Sequence, residues 1–234
     1  RKALKDAGFA NIPVISFNVV GMEKMPGFKI TPDMVEKLLK VVVYGDLLQK
    51  MLTKNRVYEV NKGETQKLYD EWMQKCKELV VHSSLSEFKK SIYDMVNDFE
   101  KIELDTSMKK PKVGIVGEVL IKYHPFGNNF IAEKLEQEGA EVILPDFMGF
   151  VKFMATHKIT FNTLIKTDKY KAKIFKLAIK LIDILEKDER IALANSKKGY
   201  LQPCDIWELE DNVKDILSIG NQTGEGWFLT AEMV

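Results

Sequence analysis

The apolar positions of this chain recur mostly at helical spacing, with only short runs of consecutive β-branched residues between them. Stretches with apolar residues every three or four positions are typical of amphipathic helices. They cover residues 31–53, 68–80, 84–99 and 167–197, and a further helix is predicted to start near Asp205. Trp72 and Cys76 are predicted to face inward from the second of these helices, and Ser84 with Glu87 predicts a capping box at the start of the third. In the long helix from Thr167, the residues predicted to face inward are Tyr170, Ile174, Leu177, Ala178, Leu181 and Leu185. The lysines on its opposite face indicate a solvated surface more than a site for an anionic partner.

The middle of the chain predicts a strand–helix–strand unit. Val113–Ile121 is an unbroken apolar run, which is typical of a strand covered on both faces. A short helix follows and is predicted to end at Gly139, and Val142–Leu144 forms a second buried strand. Because a helix crosses over between them, the two strands must be parallel. The predicted fold class is therefore α/β: Rossmann-like or flavodoxin-like three-layer lobes with a parallel sheet and additional helices.

Two further strands and one boundary complete the predicted organisation. Ile12–Asn18 and Ile216–Ile219 are short apolar runs compatible with buried strands. The polar run Asp105–Pro111 is the best internal boundary. It divides the chain into a mostly helical segment, residues 1–105, and a central lobe with a glycine-rich end, residues 106–234. Both ends of the chain are predicted to lie within helices, so we expect a segment excised from a longer polypeptide.

Composition and charge exclude no class of function, but they make nucleic acid and membranes less expected as partners. A formal net charge of +1 gives no general electrostatic reason to bind nucleic acid or an anionic membrane. No apolar run reaches the roughly 20 residues that a membrane helix needs, and no signal peptide is recognisable. The two cysteines, Cys76 and Cys204, lack the spacing of a metal site or a disulfide framework. We therefore expect a cytoplasmic protein.

The loop after the first central strand is the first candidate for function. Ligands of parallel sheets bind outside the carboxyl ends of the strands, which is where Gly117–Asn129 should lie. Glu118 is a possible acid or base, His124 a proton shuttle or anion ligand, and Asn128 and Asn129 are able to orient an amide or carbonyl. Local roles in helix capping and turn formation explain the same residues. Both interpretations stand at this point.

A glycine-rich turn near the end of the chain is the second candidate. A strand, a glycine-rich turn and a helix start make an anion site, because unpaired N–H groups and the helix dipole favour negative charge. The turn lacks the Walker pattern and the dinucleotide pattern, so a tight structural turn is an equal alternative. Its candidate ligand-binding residues are Gly220, Gln222, Thr223, Gly224, Glu225 and Gly226.

These two loops carry a resemblance to a known family. The motifs are Val-Gly-Ile-Val-Gly-Glu-Val-Leu-Ile-Lys-Tyr-His-Pro-Phe-Gly-Asn-Asn at 113–129 and Gly-Asn-Gln-Thr-Gly-Glu-Gly-Trp-Phe-Leu-Thr-Ala-Glu-Met-Val at 220–234. They resemble the dehydratase-like region of the activators of 2-hydroxyglutaryl-CoA dehydratase, also called CoA-substrate-specific enzyme activases. The resemblance covers nearly the whole chain and is densest in these motifs.

The resemblance implies a place in anaerobic acyl-CoA chemistry. Such proteins join an actin-like ATPase activator module, which carries an iron–sulfur cluster, to regions similar to the 2-hydroxyacyl-CoA dehydratase subunits. Those subunits are α/β lobes that hold a [4Fe-4S] cluster on cysteines and bind the hydroxyacyl-CoA thioester nearby. The expected partners are thus the remaining domains of the parent polypeptide, an acyl-CoA and the activator ATPase module.

The chain departs from the family in its cysteines. A [4Fe-4S] cluster needs about four ligands, mostly thiolates, and neither Cys76 nor Cys204 stands in a cluster motif. We expect no cofactor in this fragment, a [4Fe-4S] cluster in the intact protein, and no catalytic residue that can be assigned here. The leading hypothesis is a dehydratase-like region that is inactive alone. The alternative is a non-catalytic module that binds acyl-CoA or docks the activator.

Overall fold

Helices hold 64% of the residues that the structure describes. This structure is a computed structural model, and it describes residues 2–12, 29–166, 168–221 and 224–234. The helices are α1 (Lys2–Asp6), α2 (Pro32–Arg56), α3 (Glu64–His82), α4 (Leu85–Glu100), α5 (Val119–Tyr123), α6 (Ile131–Gln137), α7 (Phe147–Leu164), α8 (Lys169–Asn195), α9 (Ile206–Val213) and α10 (Gly226–Met233). The strands are β1 (Lys112–Gly114) and β2 (Glu141–Ile143). None of the described helices combines the length and the apolar character that crossing a membrane requires.

The chain divides into two compact units, residues 1–37 and residues 38–234. In the first unit, α1 ends at Gly8, whose φ of +86° is the left-handed conformation that terminates many helices. The N–H of Phe9 then donates to the carbonyl of Leu4 at 2.8 Å, which closes the helix end. In the second unit, helices from both predicted segments pack together, for instance α4 against α8. The boundary predicted near residue 105 lies inside this second unit.

The predicted strand–helix–strand unit is present, and its two strands are parallel as predicted. Their register pairs Lys112 with Glu141 and Gly114 with Ile143. Gly139 ends the intervening α6 with a φ of +89°. The prediction that the first strand extends to Ile121 was wrong, because the chain leaves the sheet after Gly114 and forms α5 from Val119. A local cap and a helical turn replace the second half of the apolar run.

The predicted three-layer arrangement is matched only in part. In the described ranges, the sheet consists of β1 and β2, with helices packed around it. Ile216–Ile219 was predicted as a strand, and this prediction was wrong: the N–H groups of Ile216 and Leu217 both donate to the carbonyl of Val213, which continues α9 as a turn. Residues 13–18 of the predicted first strand lie outside the described residues.

The first core cluster joins α2, α3, α4 and α8. Its members from α2 and α4 are fully shielded, and they include Leu47, Leu48, Met51, Phe88, Ile92, Met95 and Phe99. The rings of Tyr44 and Phe88 meet edge to face at 5.0 Å between centroids. Trp72 and Cys76 close the cluster from α3, on the face that the sequence predicted to point inward. The apolar spacing of α3 and α4 therefore predicted which sides of these helices are buried.

The second core cluster joins α7, α8, α9 and α10. Phe153 stacks on Phe228 at 5.0 Å and lies 5.3 Å from Trp227, both measured between ring centroids. Ile206 and Val213 of α9 complete the cluster and are almost completely buried. Aromatic packing of this kind adds stabilisation beyond the buried area alone. It holds α10, which follows the glycine-rich turn, against the body of the unit.

The start of α4 offers a direct test of the predicted capping box. The Ser84 Oγ accepts a hydrogen bond from the Glu87 N–H at 3.2 Å, and the Glu87 carboxylate accepts from the Ser84 N–H at 2.7 Å. Ser84→Ala removes the first of these bonds, so we expect the free energy of unfolding to fall by about 1 kcal/mol. Urea denaturation measures this change. Ser86→Ala, an exposed serine two residues further on, is the matched control and should change stability by less than about 0.5 kcal/mol. Equal losses in the two variants would contradict the capping role.

Candidate functional site

Glu118 and His124 of the central loop make local hydrogen bonds. Glu118 caps α5: its Oε2 accepts from the N–H groups of Leu120 at 2.9 Å and Ile121 at 3.2 Å. The His124 Nδ1 accepts from the N–H of Gly127 at 2.9 Å, inside the turn between α5 and α6. Both residues are exposed. These bonds are the capping and turn roles that the sequence allowed as alternatives to chemistry.

Asn128 links the two ends of the same turn. Its Nδ2 donates to the carbonyls of Ile121 at 3.0 Å and Lys122 at 3.1 Å, and its Oδ1 accepts from the Ile131 N–H at 3.3 Å. The amide therefore joins the end of α5 to the start of α6. Asn129 follows with a φ of +60°, a conformation that asparagine adopts more readily than most residues. Gly117 precedes Glu118 in the bend that leads to α5.

The terminal glycine-rich turn lies between α9 and α10. The Gly220 N–H donates to the Ser218 Oγ at 3.1 Å, and a Cβ at this position would lie 3.3 Å from the side chain of Leu164, at the end of α7. Gly224 has a φ of +60°, and Gly226 is the first residue of α10. Gln222 and Thr223 lie outside the described residues. The anion site expected here required a strand before the turn, and a helical turn stands in its place.

The central loop and the glycine-rich turn lie next to each other, and charged side chains fill the junction between them. The Lys122 Nζ lies 2.9 Å from both carboxylate oxygens of Glu232, and the two side chains are 1% and 4% exposed. Glu225 accepts a hydrogen bond from the N–H of Val119, and burial raises the pKa of its carboxyl group. The Phe228 ring covers Lys122 with 5.7 Å between the Nζ and the ring centroid. This junction stabilises the contact between α5 and α10.

A buried ion network that the sequence analysis missed lies at the carboxyl end of β2. It consists of Asp46, Lys50, Asp146 and Glu189. The Lys50 Nζ lies 2.8 Å from the Asp146 Oδ2 and 3.2 Å from the Glu189 Oε1. Asp46 accepts from the first two N–H groups of α7, those of Phe147 at 2.9 Å and Met148 at 2.8 Å. Asp46 and Lys50 stand four residues apart in an otherwise apolar stretch, and that pattern was the available signal.

Burial sets the electrostatics of this ion network. It raises the pKa of Asp46, and the neighbouring charge of Asp146 raises it further. Burial also raises the pKa of Glu189 to about 7, against the opposing effect of the Lys50 ammonium group. For Lys50, burial acts downward, but the charges of Glu189 and Asp146 outweigh it and raise the pKa. Asp46 and Glu189 therefore keep their protons to a higher pH than exposed carboxyl groups do.

A second set of buried charges joins α7 to α8. The Lys152 side chain is fully buried, and its Nζ lies 2.6 Å from the Glu186 Oε2 and 2.9 Å from the Asp183 Oδ1. Arg190 adds a contact of 3.2 Å to Glu186. Lys152 and Arg190 also donate to the carbonyl of Cys204 at 3.0 and 3.1 Å. These bonds hold the loop before α9 in place, so this set of charges joins α7, α8 and that loop.

The two cysteines do not fit an iron–sulfur cluster. Cys76 lies in the first core cluster, whereas Cys204 packs beside Gly149 and Phe228, next to the second. Burial raises the pKa of each thiol to about 12, which keeps the proton that a cluster ligand must lose. Within the described ranges, no group of three or more metal-ligating side chains is suitably placed. Among the described residues, the two thiols are therefore not arranged as cluster ligands.

A lysine groove lies between the end of α7 and the start of α8. Leu164, which follows the lining residue Thr163, lies close to Gly220 of the glycine-rich turn. The volume of the groove is about 240 Å³, slightly below the range of about 300–1,000 Å³ that is typical of ligand clefts, and it is open along one side. Four of its lining residues are lysines: Lys166, Lys169, Lys173 and Lys176. In the part of the chain that the structure describes, none of the four has a carboxylate within 4.0 Å of its ammonium group. The groove therefore concentrates positive charge without a direct ion pair, and Glu210 is a more distant neighbour of Lys176.

Comparisons with protein-family models, with curated proteins and with solved structures found no match to this chain. Its function is therefore inferred from the geometry of its own residues and from the motif resemblance.

Proposed function

We propose that this chain is the dehydratase-like region of an activator of 2-hydroxyacyl-CoA dehydratase, and that it binds acyl-CoA without catalysing a reaction alone. The lysine groove is the observation that carries the binding part of this proposal. The motif resemblance at 113–129 and 220–234 supplies the class of ligand. The glycine-rich turn lies near the groove, because Gly220 is close to Leu164, the residue that follows Thr163 of the groove wall.

The charge of the groove suits the phosphates of coenzyme A. Lysine is a common phosphate ligand, acting as a compact point charge on a flexible stem. Lys169, Lys173 and Lys176 stand three and four residues apart on α8, so their side chains share one face of the helix. Asn162 and Thr163 line the opposite wall from α7. Several lysines around one groove favour a ligand with more than one phosphate group over a simple carboxylate.

A non-catalytic role agrees with the state of the candidate chemical groups. Glu118 and His124 are engaged in local hydrogen bonds, and the buried thiols of Cys76 and Cys204 are protonated near neutral pH. Under this proposal, the [4Fe-4S] cluster and the electron-donating ATPase module belong to other parts of the intact protein. The three-layer Rossmann-like lobe is part of the same proposal, with β1 and β2 as its described strands.

Titration calorimetry with CoA and with acetyl-CoA tests the binding proposal. Lys169→Glu combined with Lys176→Glu places two negative charges in the groove, so we expect affinity to fall by about tenfold or more. Binding should also weaken with rising salt, because phosphate contacts are screened. Lys180→Glu combined with Lys187→Glu changes the charge of the same helix outside the groove and should leave the affinity nearly unchanged.

Two results would overturn the proposal. One is the absence of binding at millimolar CoA in low salt. The other is an equal loss of affinity in the groove variant and in the control, which would mean that only the net charge of the chain matters. Steady conversion of a 2-hydroxyacyl-CoA by the isolated chain would contradict the non-catalytic part specifically.

A further inference from the structure

The long helix α8 presents an apolar stripe outward, contrary to the sequence prediction. The predicted inward residues Tyr170, Ile174, Leu177 and Leu181 are 50–74% exposed. The residues that α8 buries against the body of the unit are instead Ala172, Ile179, Ile182, Glu186, Glu189, Ala192 and Leu193. Two faces of this helix are therefore apolar, and only one of them is covered in the described structure.

The outward stripe has the spacing of a coiled-coil seam. Its members are Tyr170, Ile174, Leu177, Leu181, Ile184 and Ile191, and all six are exposed. The first five are separated alternately by four and three residues, as the a and d positions of a heptad repeat require. Asp188, which binds Tyr93 of α4, interrupts the pattern at the next a position, and Ile191 takes the d position after it. At about 1.5 Å per residue, the stripe from Tyr170 to Ile191 is about 32 Å long. We refer to these six residues as the apolar seam.

Along one edge of the apolar seam, every position that would flank a partner helix is a lysine. Lys173, Lys180 and Lys187 recur every seven residues and correspond to the g positions of the heptad. All three are exposed. On the other edge, the corresponding e positions are Lys171, Ala178 and Leu185. In coiled coils, the e and g charges choose the partner and its orientation.

We propose that the apolar seam binds an amphipathic helix of a partner protein whose flanking positions are acidic. The seam supplies the apolar contacts, and the lysines at the g positions supply the charge complementarity. This inference does not rest on the proposed function, because it involves the outer face of α8; of the seam and its flanking lysines, only Lys173 also lines the groove. Burying such a seam follows from the hydrophobic effect, and the charges select the occupant.

A second copy of this chain fits the seam less well. In an antiparallel pair, the g-position lysines of one copy would lie opposite the same lysines of the other. In a parallel pair, they would face the e positions one heptad on, which are Ala178, Leu185 and Ala192. Neither arrangement offers an acidic residue. An anionic membrane is also a weaker fit, since interfacial helices present a broad apolar face whereas this one is a narrow a/d stripe.

A synthetic peptide of about 21 residues provides the probe, with Leu and Ile at its a and d positions and Glu at e and g. Repulsion between the glutamates disfavours pairing of the peptide with itself. In fluorescence anisotropy, we expect the Glu peptide to bind at least about tenfold tighter than the same peptide with Lys at e and g. Leu177→Gln combined with Leu181→Gln should abolish binding of both peptides while leaving the circular dichroism spectrum unchanged.

Charge reversal separates specific docking from adhesion to any apolar surface. Lys180→Glu combined with Lys187→Glu should invert the preference, so that the Lys peptide binds more tightly. Lys169→Glu combined with Lys176→Glu, which changes the groove, should preserve the preference for the Glu peptide. The proposal is overturned if both peptides bind the native chain equally, if sedimentation equilibrium shows a dimer that the Leu177 and Leu181 changes dissociate, or if anionic vesicles bind the seam in preference to the Glu peptide.

Discussion

Lys122→Met is expected to lower the free energy of unfolding by about 3–5 kcal/mol. The substitution removes the ammonium group that contacts both oxygens of Glu232, and it leaves that carboxylate buried without its partner. Removing one member of a buried ion pair is strongly destabilising, because the remaining charge keeps its desolvation penalty and loses the compensating attraction. The contact joins α5 to α10, so the loss should also loosen the junction between the central loop and the terminal helix.

Urea denaturation followed by circular dichroism measures this loss. The matched control is Lys101→Met, which removes the exposed partner of Asp98 in a surface pair and should cost less than about 1 kcal/mol. The double variant Lys122→Met with Glu232→Leu should recover much of the stability, because two apolar groups leave no buried charge unpaired. A double variant as unstable as the sum of the single ones would show that the charge pair is not the source of the effect.

Glu189→Gln is expected to remove a pH dependence of stability worth about 3 kcal/mol. Burial raises the pKa of Glu189 from 4.5 to about 7 in the folded chain. Between those two pH values, the folded state holds a proton that the unfolded state has already released. Folding therefore takes up a proton, and the free energy of unfolding decreases as the pH rises from 4.5 through 7. Glutamine has no proton to lose, so this contribution disappears in the variant.

The measurement is a series of denaturation curves between pH 4.5 and pH 8 for the native chain and the variant. Other buried acids, including Asp46 and Glu186, also have raised pKa values and add a dependence of the same sign to both proteins. The stability of Glu189→Gln relative to the native chain should therefore increase with pH and level off above pH 7. Glu103→Gln, at an exposed position, should give a curve parallel to that of the native chain. A constant difference for Glu189→Gln would refute the assigned protonation.

Local patterns predicted much of the secondary structure because their physical causes are local. The capping box at Ser84 and the left-handed Gly139 each depend on a few neighbouring residues, and both appear where the sequence placed them. The parallel pairing of β1 with β2 also followed from the chain, since a helix connects them. Strand lengths were less predictable. An apolar run such as Val113–Ile121 is compatible with a buried strand and with a buried helix. In the structure, its first residues belong to β1 and its last residues to α5.

The candidate site depended on contacts between distant segments, and these were only partly predictable. The Lys122–Glu232 pair that fills the junction between the central loop and the terminal turn was not predicted. The buried ion network escaped prediction because Asp46, Lys50 and Glu189 are each acceptable on a solvated helix face, and Asp146 is acceptable in an exposed loop. Only the packing of α2, α7 and α8 shows that Lys50 and Glu189 are removed from water.

The sequence by itself determined the positions of most helices and the parallel pair of strands. Helical periodicity, helix caps and glycine conformations depend on a few neighbouring residues, so they can be recognised from the sequence. Only the tertiary structure decided which of the two apolar faces of α8 is buried and which charges are paired. Burial depends on what packs against a residue, and for α8 the sequence offers two faces that each satisfy the hydrophobic effect.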